Sequence, residues 1–246
     1  MKGIILAGGN GTRLYPLTKV TSKQLLPIYD KPMIYYPLYT LLSAGIKEIL
    51  IIVSNDRPGD FMRLLGSGKE FGAKFTYEIQ DKANGLPEAF VIGEDFIDNE
   101  NVAMILGDNI FEENFSESIK NFKSGGKIFV KEVQDPERFG VAEFDSNGKV
   151  ISIEEKPKQP KSNYAITGLY IYDSRVCKFA KELKPTWRAE TDITDLHNKY
   201  LEIGELGVEK VSGEWIDAGT FESLFKATEL ARLKSKQNPN RWDIEK

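Results

Sequence analysis

The stretch Gly3-Ile-Ile-Leu-Ala-Gly-Gly-Asn-Gly-Thr-Arg-Leu14 decides the fold. An apolar run of strand length passes directly into three glycines within four residues, followed by Arg13. Strand, glycine loop and helix together are the usual means of bringing backbone N–H groups to a phosphate. Glycines after a strand also make ordinary tight turns, and a lone arginine is commonly a surface charge. The loop alone leaves both readings open. Two familiar phosphate loops do not fit. Nothing matches Gly-x-x-x-x-Gly-Lys-Ser/Thr. In Gly-x-Gly-x-x-Gly the third glycine is replaced by Leu14, where helix and strand must pack closely, and Pro16 opposes a long helix starting there.

Working outward from that strand, short apolar runs alternate with segments of helical period. GIILA (3–7), EILIIV (48–53), AKFTYEI (73–79) and NVAMIL (101–106) read as strands, with helices near 33–44, 57–65 and 85–93. Runs apolar throughout indicate strands covered on both faces. The expected fold is α/β, a Rossmann-like mixed but mostly parallel central sheet flanked by helices. After residue 110 the strands crowd together: 127–133, 140–145, 149–155 and 164–173, with a hairpin turn at Ser146-Asn-Gly148. Helices follow at about 174–183, 192–203 and 220–235. One domain is expected, with lobes at 1–110 and 111–235. The polar end, from residue 236 to 246, reads as a surface tail.

Composition narrows the chemistry. The 246 residues are 41% apolar with a net charge of −4 and no basic cluster, which argues against nucleic-acid binding. No apolar run approaches the roughly 20 residues a membrane span needs. With no signal-peptide layout and a single cysteine, Cys177, a cytoplasmic location is expected. His197 is the only histidine, so a histidine base or a His/Cys metal cage has little to work with. Both Cys177 and His197 read as structural.

The segment after the loop, Ser22-Lys-Gln-Leu-Leu-Pro-Ile-Tyr-Asp-Lys-Pro-Met33, adds a second cation, Lys23. GGNGTRL and SKQLLPIYDKPMIYYPL together resemble the sugar-1-phosphate nucleotidylyltransferases, and most of all the glucose-1-phosphate thymidylyltransferases. The likeness continues through GDN (107–109), PERFGV (136–141), EEKP (154–157), SNYAITGLY (162–170) and WIDAGTFESL (215–224). It implies the nucleotide-diphospho-sugar transferase type of fold and a Mg²⁺-dependent reaction. In that reaction dTTP (or UTP) and glucose-1-phosphate give dTDP-glucose and pyrophosphate. The attacking group is already an anionic phosphate oxygen, so no base is required; cations, carboxylates and backbone N–H groups suffice.

The resemblance also implies site residues. Arg13, Lys23, Asp108 and Lys156 carry the catalysis. Leu6, Gly8, Gly9, Gly11, Thr12, Arg13, Gln80, Gly85 and Asp108 hold the nucleotide. Asn109, Gly140, Glu155, Lys156, Gly168 and Glu190 hold the sugar phosphate. Asp108 and Asp217 bind Mg²⁺, an ion that takes one or two carboxylates and fills its shell with water and phosphate oxygens. Read singly, each residue has a bland alternative: Asp108 a helix cap, Asp217 a turn, Lys156 a charge on an edge strand, Gln80 a surface amide. An amide at Gln80 can donate to O4 and accept from N3–H of thymine or uracil. Tyr170 reads as strand packing and Trp215 as packing beside the metal loop.

Three departures bear on specificity. The usual Gly-Leu-Ala-Gln-Ala is here Gly85-Leu-Pro-Glu-Ala89, which puts the charge of Glu88 near the nucleotide. Arg-Gly-Glu-Leu-Glu-Ile-Thr-Asp is here Arg188-Ala-Glu-Thr-Asp-Ile-Thr-Asp195. Longer members carry further C-terminal helices that help build a regulatory site, so feedback inhibition through it is not expected here. By analogy the protein is a homodimer or homotetramer. The competing readings are a UTP-using or broad-specificity enzyme, and a non-catalytic subunit that binds nucleotide-sugar. The second is disfavoured by the joint presence of Arg13, Lys23, Asp108, Lys156 and Asp217.

Overall fold

The computed structural model describes residues 1–9, 11–186 and 190–244. In the first half the strands are β1 (Lys2–Ala7), β2 (Pro27–Ile28), β3 (Lys31–Pro32), β4 (Glu48–Ser54), β5 (Lys74–Gln80), β6 (Val102–Leu106) and β7 (Asn109–Phe111). In the second half they are β8 (Gly126–Glu132), β9 (Gly140–Phe144), β10 (Val150–Glu155), β11 (Tyr164–Tyr172), β12 (Leu206–Lys210) and β13 (Trp215–Asp217). The helices are α1 (Tyr35–Ser43), α2 (Pro58–Leu65), α3 (Glu88–Ile92), α4 (Glu94–Ile97), α5 (Ser116–Asn121), α6 (Val176–Glu182), α7 (Ile193–Glu202) and α8 (Phe221–Gln237).

The four apolar runs of the first half lie side by side as β6, β1, β4 and β5, all parallel. Their alternation sends neighbours to opposite faces. Ile5, Ile49 and Ile51 pack with Leu38 and Leu41 of α1 and Phe61 of α2. Ile4, Leu50 and Ile52 pack with Phe90 of α3, Ala180 of α6 and Leu196 of α7. Both sets are buried, which is why no polar residue interrupts the apolar runs of β1, β4 and β6.

The crowded strands extend the same sheet with reversed direction. β11 runs antiparallel to β6 through Leu169–Tyr172, but touches β9 only at Ala165. On its other edge, the register with β8 slips between Ile166 and Tyr170. The sheet therefore parts around Thr167 and Gly168, beside the carboxyl end of β6. That opening is where the site forms. The hairpin joining β9 and β10 turns at 146–148 as expected.

Among the described residues, seven short elements escape the sequence patterns: β2, β3, β7, β12, β13, α4 and α5. The most consequential pairing is β13 antiparallel to β7, which sets Asp217 opposite Asn109 and Trp215 opposite Phe111. The surface-tail expectation is corrected at two residues. Trp242 is 1% exposed and Ile244 is buried. The Trp242 ring meets Tyr36 edge-on at 5.2 Å, and its indole N–H donates to the Phe111 carbonyl at 3.3 Å. An apolar ring of that size is better buried than solvated, whatever the polarity of its neighbours. No helix among the described residues is long and apolar enough to cross a membrane.

His197, on α7, is fully buried against Tyr170 and Tyr172. Its Nδ1 shares a 2.6 Å hydrogen bond with the Tyr172 hydroxyl, and its Nε2 has no hydrogen-bond partner. Burial pushes its pKa down to about 3. The unfolded chain, with an ordinary value near 6.5, binds this proton first as pH falls. His197 therefore withdraws stability on acidification, by about 2 kcal/mol between pH 7 and pH 5. His197→Gln keeps a partner for Tyr172 but does not titrate. In urea unfolding, the wild type is expected to lose about 2 kcal/mol relative to His197→Gln over that range. Parallel pH profiles would refute the assignment, and the comparison removes every other titrating group.

Candidate active site

A cleft of about 670 Å³ opens at the carboxyl ends of β1 and β6, the position where open α/β sheets present ligands. It is lined by Leu6, Gly8, Gly9, Arg13, Lys23, Gln80, Gly85, Asp108, Asn109, Gly140, Glu155, Lys156, Gly168, Glu190 and Asp217. Of the expected site residues, only Gly11 and Thr12 stand outside this lining. Burial of Leu14 turns the short 3-10 segment Thr12–Leu14, and the Gly11 carbonyl accepts from the Thr18 hydroxyl at 3.0 Å. Asn10, within the loop, and Arg188 and Ala189, in the sugar-side segment, lie outside the described residues.

The centre of the cleft is a charged cluster. Asp108 follows β6 after Gly107 and forms an ion pair with Lys23. The β7–β13 pairing brings Asp217 alongside, and Ala218 N–H donates to the Asp108 carbonyl at 2.9 Å. Burial disfavours charge on Asp108, but the Lys23 ammonium, with hydrogen bonds from Lys23, Asn109 and Asp217, holds its pKa below the usual range. Asp217 is driven the other way, upward, first by burial and then by the Asp108 charge. Its Oδ1 is buried without a hydrogen-bond partner. Arg13 completes the cluster: a Cβ on Gly219 would lie 2.7 Å from its Nη2 and 2.8 Å from Asp217 Oδ1. Among the described residues, no group of three or more His, Cys, Asp or Glu side chains gathers to hold a metal.

Asn109 organises the next layer. Its Oδ1 accepts from Gly168 N–H at 3.0 Å and from the Trp215 indole at 2.6 Å, while its Nδ2 donates to Asp108 Oδ1 at 3.1 Å. A Cβ at Gly168 would fall 2.5 Å from that same Oδ1, so the approach of β11 to β7 admits glycine alone. Trp215 packs on Phe139 at 5.2 Å and, as expected, sits beside the Asp217 segment.

Across the opening, Lys156 follows β10 with a φ of +45°, and its N–H donates to the Phe139 carbonyl at 2.9 Å. This left-handed residue closes the strand and leaves its side chain half exposed, with Nζ 3.4 Å from Glu155 Oε1. On the other wall, Gln80 ends β5 and is 7% exposed. Gly85, at φ +110°, lies so close to Thr191 that a Cβ would be 2.0 Å from its carbonyl oxygen. Thr191 N–H donates to the Asn84 carbonyl at 2.8 Å, so this bridge ties the loop after β5 to the segment before α7.

Sequence reasoning passed over some lining residues. Gln24 is 2% exposed, and its Oε1 has no hydrogen-bond partner. Its position directly after Lys23 in a 3-10 segment was the available signal. Tyr170, read as strand packing, is buried and also contributes to the cleft, because β11 serves both sheet and opening. Arg138 adds a further cation to the lining.

The nucleotidyl transferase family model matches residues 2–233. A glucose-1-phosphate thymidylyltransferase of Neisseria meningitidis serogroup A is 52% identical over 238 residues, 94% of this chain and 83% of that protein. One of Mycolicibacterium smegmatis is 50% identical, covering 94% of this chain and 82% of that protein. A Bacillus anthracis crystal structure, named as a candidate glucose-1-phosphate thymidylyltransferase and holding sucrose, superposes with a TM-score of 0.90. It is 52% identical and covers 94% of this chain and 95% of that one.

Proposed function

Because the chain belongs to the nucleotidyl transferase family, and within it to the glucose-1-phosphate thymidylyltransferases, we propose that its cleft transfers the nucleotidyl group of dTTP to glucose-1-phosphate. The products are dTDP-glucose and pyrophosphate. The observation that carries this reading is the convergence of Arg13, Lys23, Asp108 and Asp217 at one point of the cleft, with Lys156 on its far wall.

The sugar phosphate oxygen attacks the α-phosphorus in line as the bond to the β-phosphate bridging oxygen breaks. Negative charge accumulates on the α-phosphoryl oxygens and on the departing pyrophosphate. Arg13 faces that charge with a fixed planar fork, and Lys23 faces it as a mobile point charge. Lys156, drawn toward Glu155, holds the incoming phosphate, and Glu155 takes sugar hydroxyls. The loop Gly8–Gly9 lets backbone approach the nucleotide, while Gln80 and the backbone at Gly85 read the base.

Asp108 and Asp217 would hold Mg²⁺. The unpartnered Oδ1 of Asp217 beside a second buried carboxylate is a hard-oxygen donor set that a small divalent cation suits. When bound, the ion offsets phosphate charge. Two carboxylates are enough for it, since phosphate oxygens and water complete its shell.

The test is pyrophosphate release from the purified protein with glucose-1-phosphate and Mg²⁺, offering dTTP, UTP, CTP, ATP and GTP separately. Release with dTTP well above UTP is expected. Equal rates with dTTP and UTP would make it a broad pyrimidine enzyme, and silence with all five would defeat the catalytic reading. Lys156→Ala is expected to raise the KM for glucose-1-phosphate at least about tenfold, with the KM for dTTP changing much less. An unchanged sugar-phosphate KM would remove Lys156 from that role.

A further inference from the structure

Gln80 meets different surroundings at the two ends of its amide. Its Nε2 lies 2.6 Å from Glu88 Oε2 and makes only a long 3.4 Å contact with the Gly85 carbonyl. Its Oε1 lies on the opposite side, against Gly8, where a Cβ would approach to 2.6 Å. Glu88, in the first turn of α3, is itself held: its Oε1 accepts from Asn84 Nδ2 at 2.6 Å. A carboxylate accepts hydrogen bonds and donates none. The NH₂ end of Gln80 must therefore be the end that faces Glu88.

We propose that Glu88 is a specificity-determining positioning residue, which fixes the Gln80 amide in the orientation that accepts thymine or uracil and rejects cytosine. The proposal rests on the base-reading role given to Gln80 above. In the fixed orientation, Oε1 is offered to a ring N3–H, and the amide hydrogen not taken by Glu88 is offered to O4. Cytosine presents a bare N3 acceptor and an N4 donor. To read it, Gln80 would have to rotate by half a turn and set its oxygen against the Glu88 carboxylate, acceptor facing acceptor. Rejection of the wrong base thus comes from a repulsive element that the right base never meets. A glutamine at position 88 could donate or accept and would leave both amide orientations open. A purely structural Glu88, one that only favours the N-terminus of α3, would change stability and overall rate without changing the ranking of bases.

The experiment measures kcat/KM for dTTP, dUTP and dCTP with saturating glucose-1-phosphate and Mg²⁺, in the wild type and Glu88→Gln. The dTTP-to-dCTP ratio is expected to fall about tenfold or more in the variant. The dTTP-to-dUTP ratio is expected to hold, since those bases share the same imide face. Should Glu88→Gln fold poorly by thermal melting, Glu88→Ala removes the same acceptor and makes the same test. A dTTP-to-dCTP ratio that stays within about twofold of wild type in a folded variant overturns the role of Glu88 while leaving the catalytic reading intact. Absence of dTTP turnover in the wild type would instead strike the reading on which the proposal rests.

Discussion

Asp108→Asn is expected to lower turnover about a thousandfold, close to 4 kcal/mol of transition-state stabilisation, while leaving the protein folded. The substitution keeps shape and keeps an oxygen for Lys23, but removes one of two carboxylates at the point where phosphate charge must be offset. Its effect on stability is expected to be small or favourable. Burial and the Asp108 charge make ionisation of Asp217 harder, whereas Lys23 and a hydrogen bond from Asp217 favour the charge on Asp108. On the proposed reading, the reaction keeps these two carboxylates adjacent at a cost to the fold, a common trade at catalytic centres. With the Asp108 charge gone, the pKa of Asp217 should fall back toward the ordinary carboxylate range. The check is single-turnover pyrophosphate release paired with urea unfolding in metal-free buffer. Wild-type turnover in Asp108→Asn would end the assignment of this cluster to the reaction. A large loss of stability would show that the pair supports the fold.

Much of this architecture was legible because its signals are local. GIILA and EILIIV announce strands covered on both faces, since a parallel strand under two helix layers leaves no position for a polar side chain. Asp108 could be located from sequence as well, standing immediately past an apolar strand at the end where α/β sheets bind ligands. What stayed hidden depends on long-range pairing. Nothing in three residues of WID predicts that they pair with Asn109–Phe111, and without that pairing Asp108 and Asp217 are two unrelated turns. Asn109 was legible as a site residue only through resemblance; the structure shows its amide fastened to Asp108, Gly168 and Trp215. Glu88 was visible as a departure from the family pattern, but its effect was not. A charge near a base has no sign for specificity until the orientation of the neighbouring amide is known.

Trp242→Ala is expected to cost about 4 kcal/mol of stability, the range found for removing a fully buried tryptophan. The composition around it, Asn-Pro-Asn-Arg before and Asp after, describes a solvated end, and hydrophobic patterning has no purchase on a single ring. In the fold, that ring fills the space between Tyr36 and β7, joining a cluster with Leu14, Ile28, Ile110 and Ala227. Polar contacts on either side seat it. Arg241 Nη2 donates to the Glu112 carbonyl at 2.7 Å, and Lys31 pairs with Asp243 at 3.4 Å. Trp242→Phe keeps most of the apolar contact but loses the indole donor to Phe111, and should cost nearer 1 kcal/mol. β7 is also the strand that carries Asn109 and pairs with the Asp217 segment. Loss of the ring is therefore expected to lower kcat along with stability, whereas Asp108→Asn separates the two. Urea unfolding of both Trp242 variants decides the matter: equal midpoints for wild type and Trp242→Ala would return these residues to the solvent, and would end the claim that the C-terminal segment supports β7.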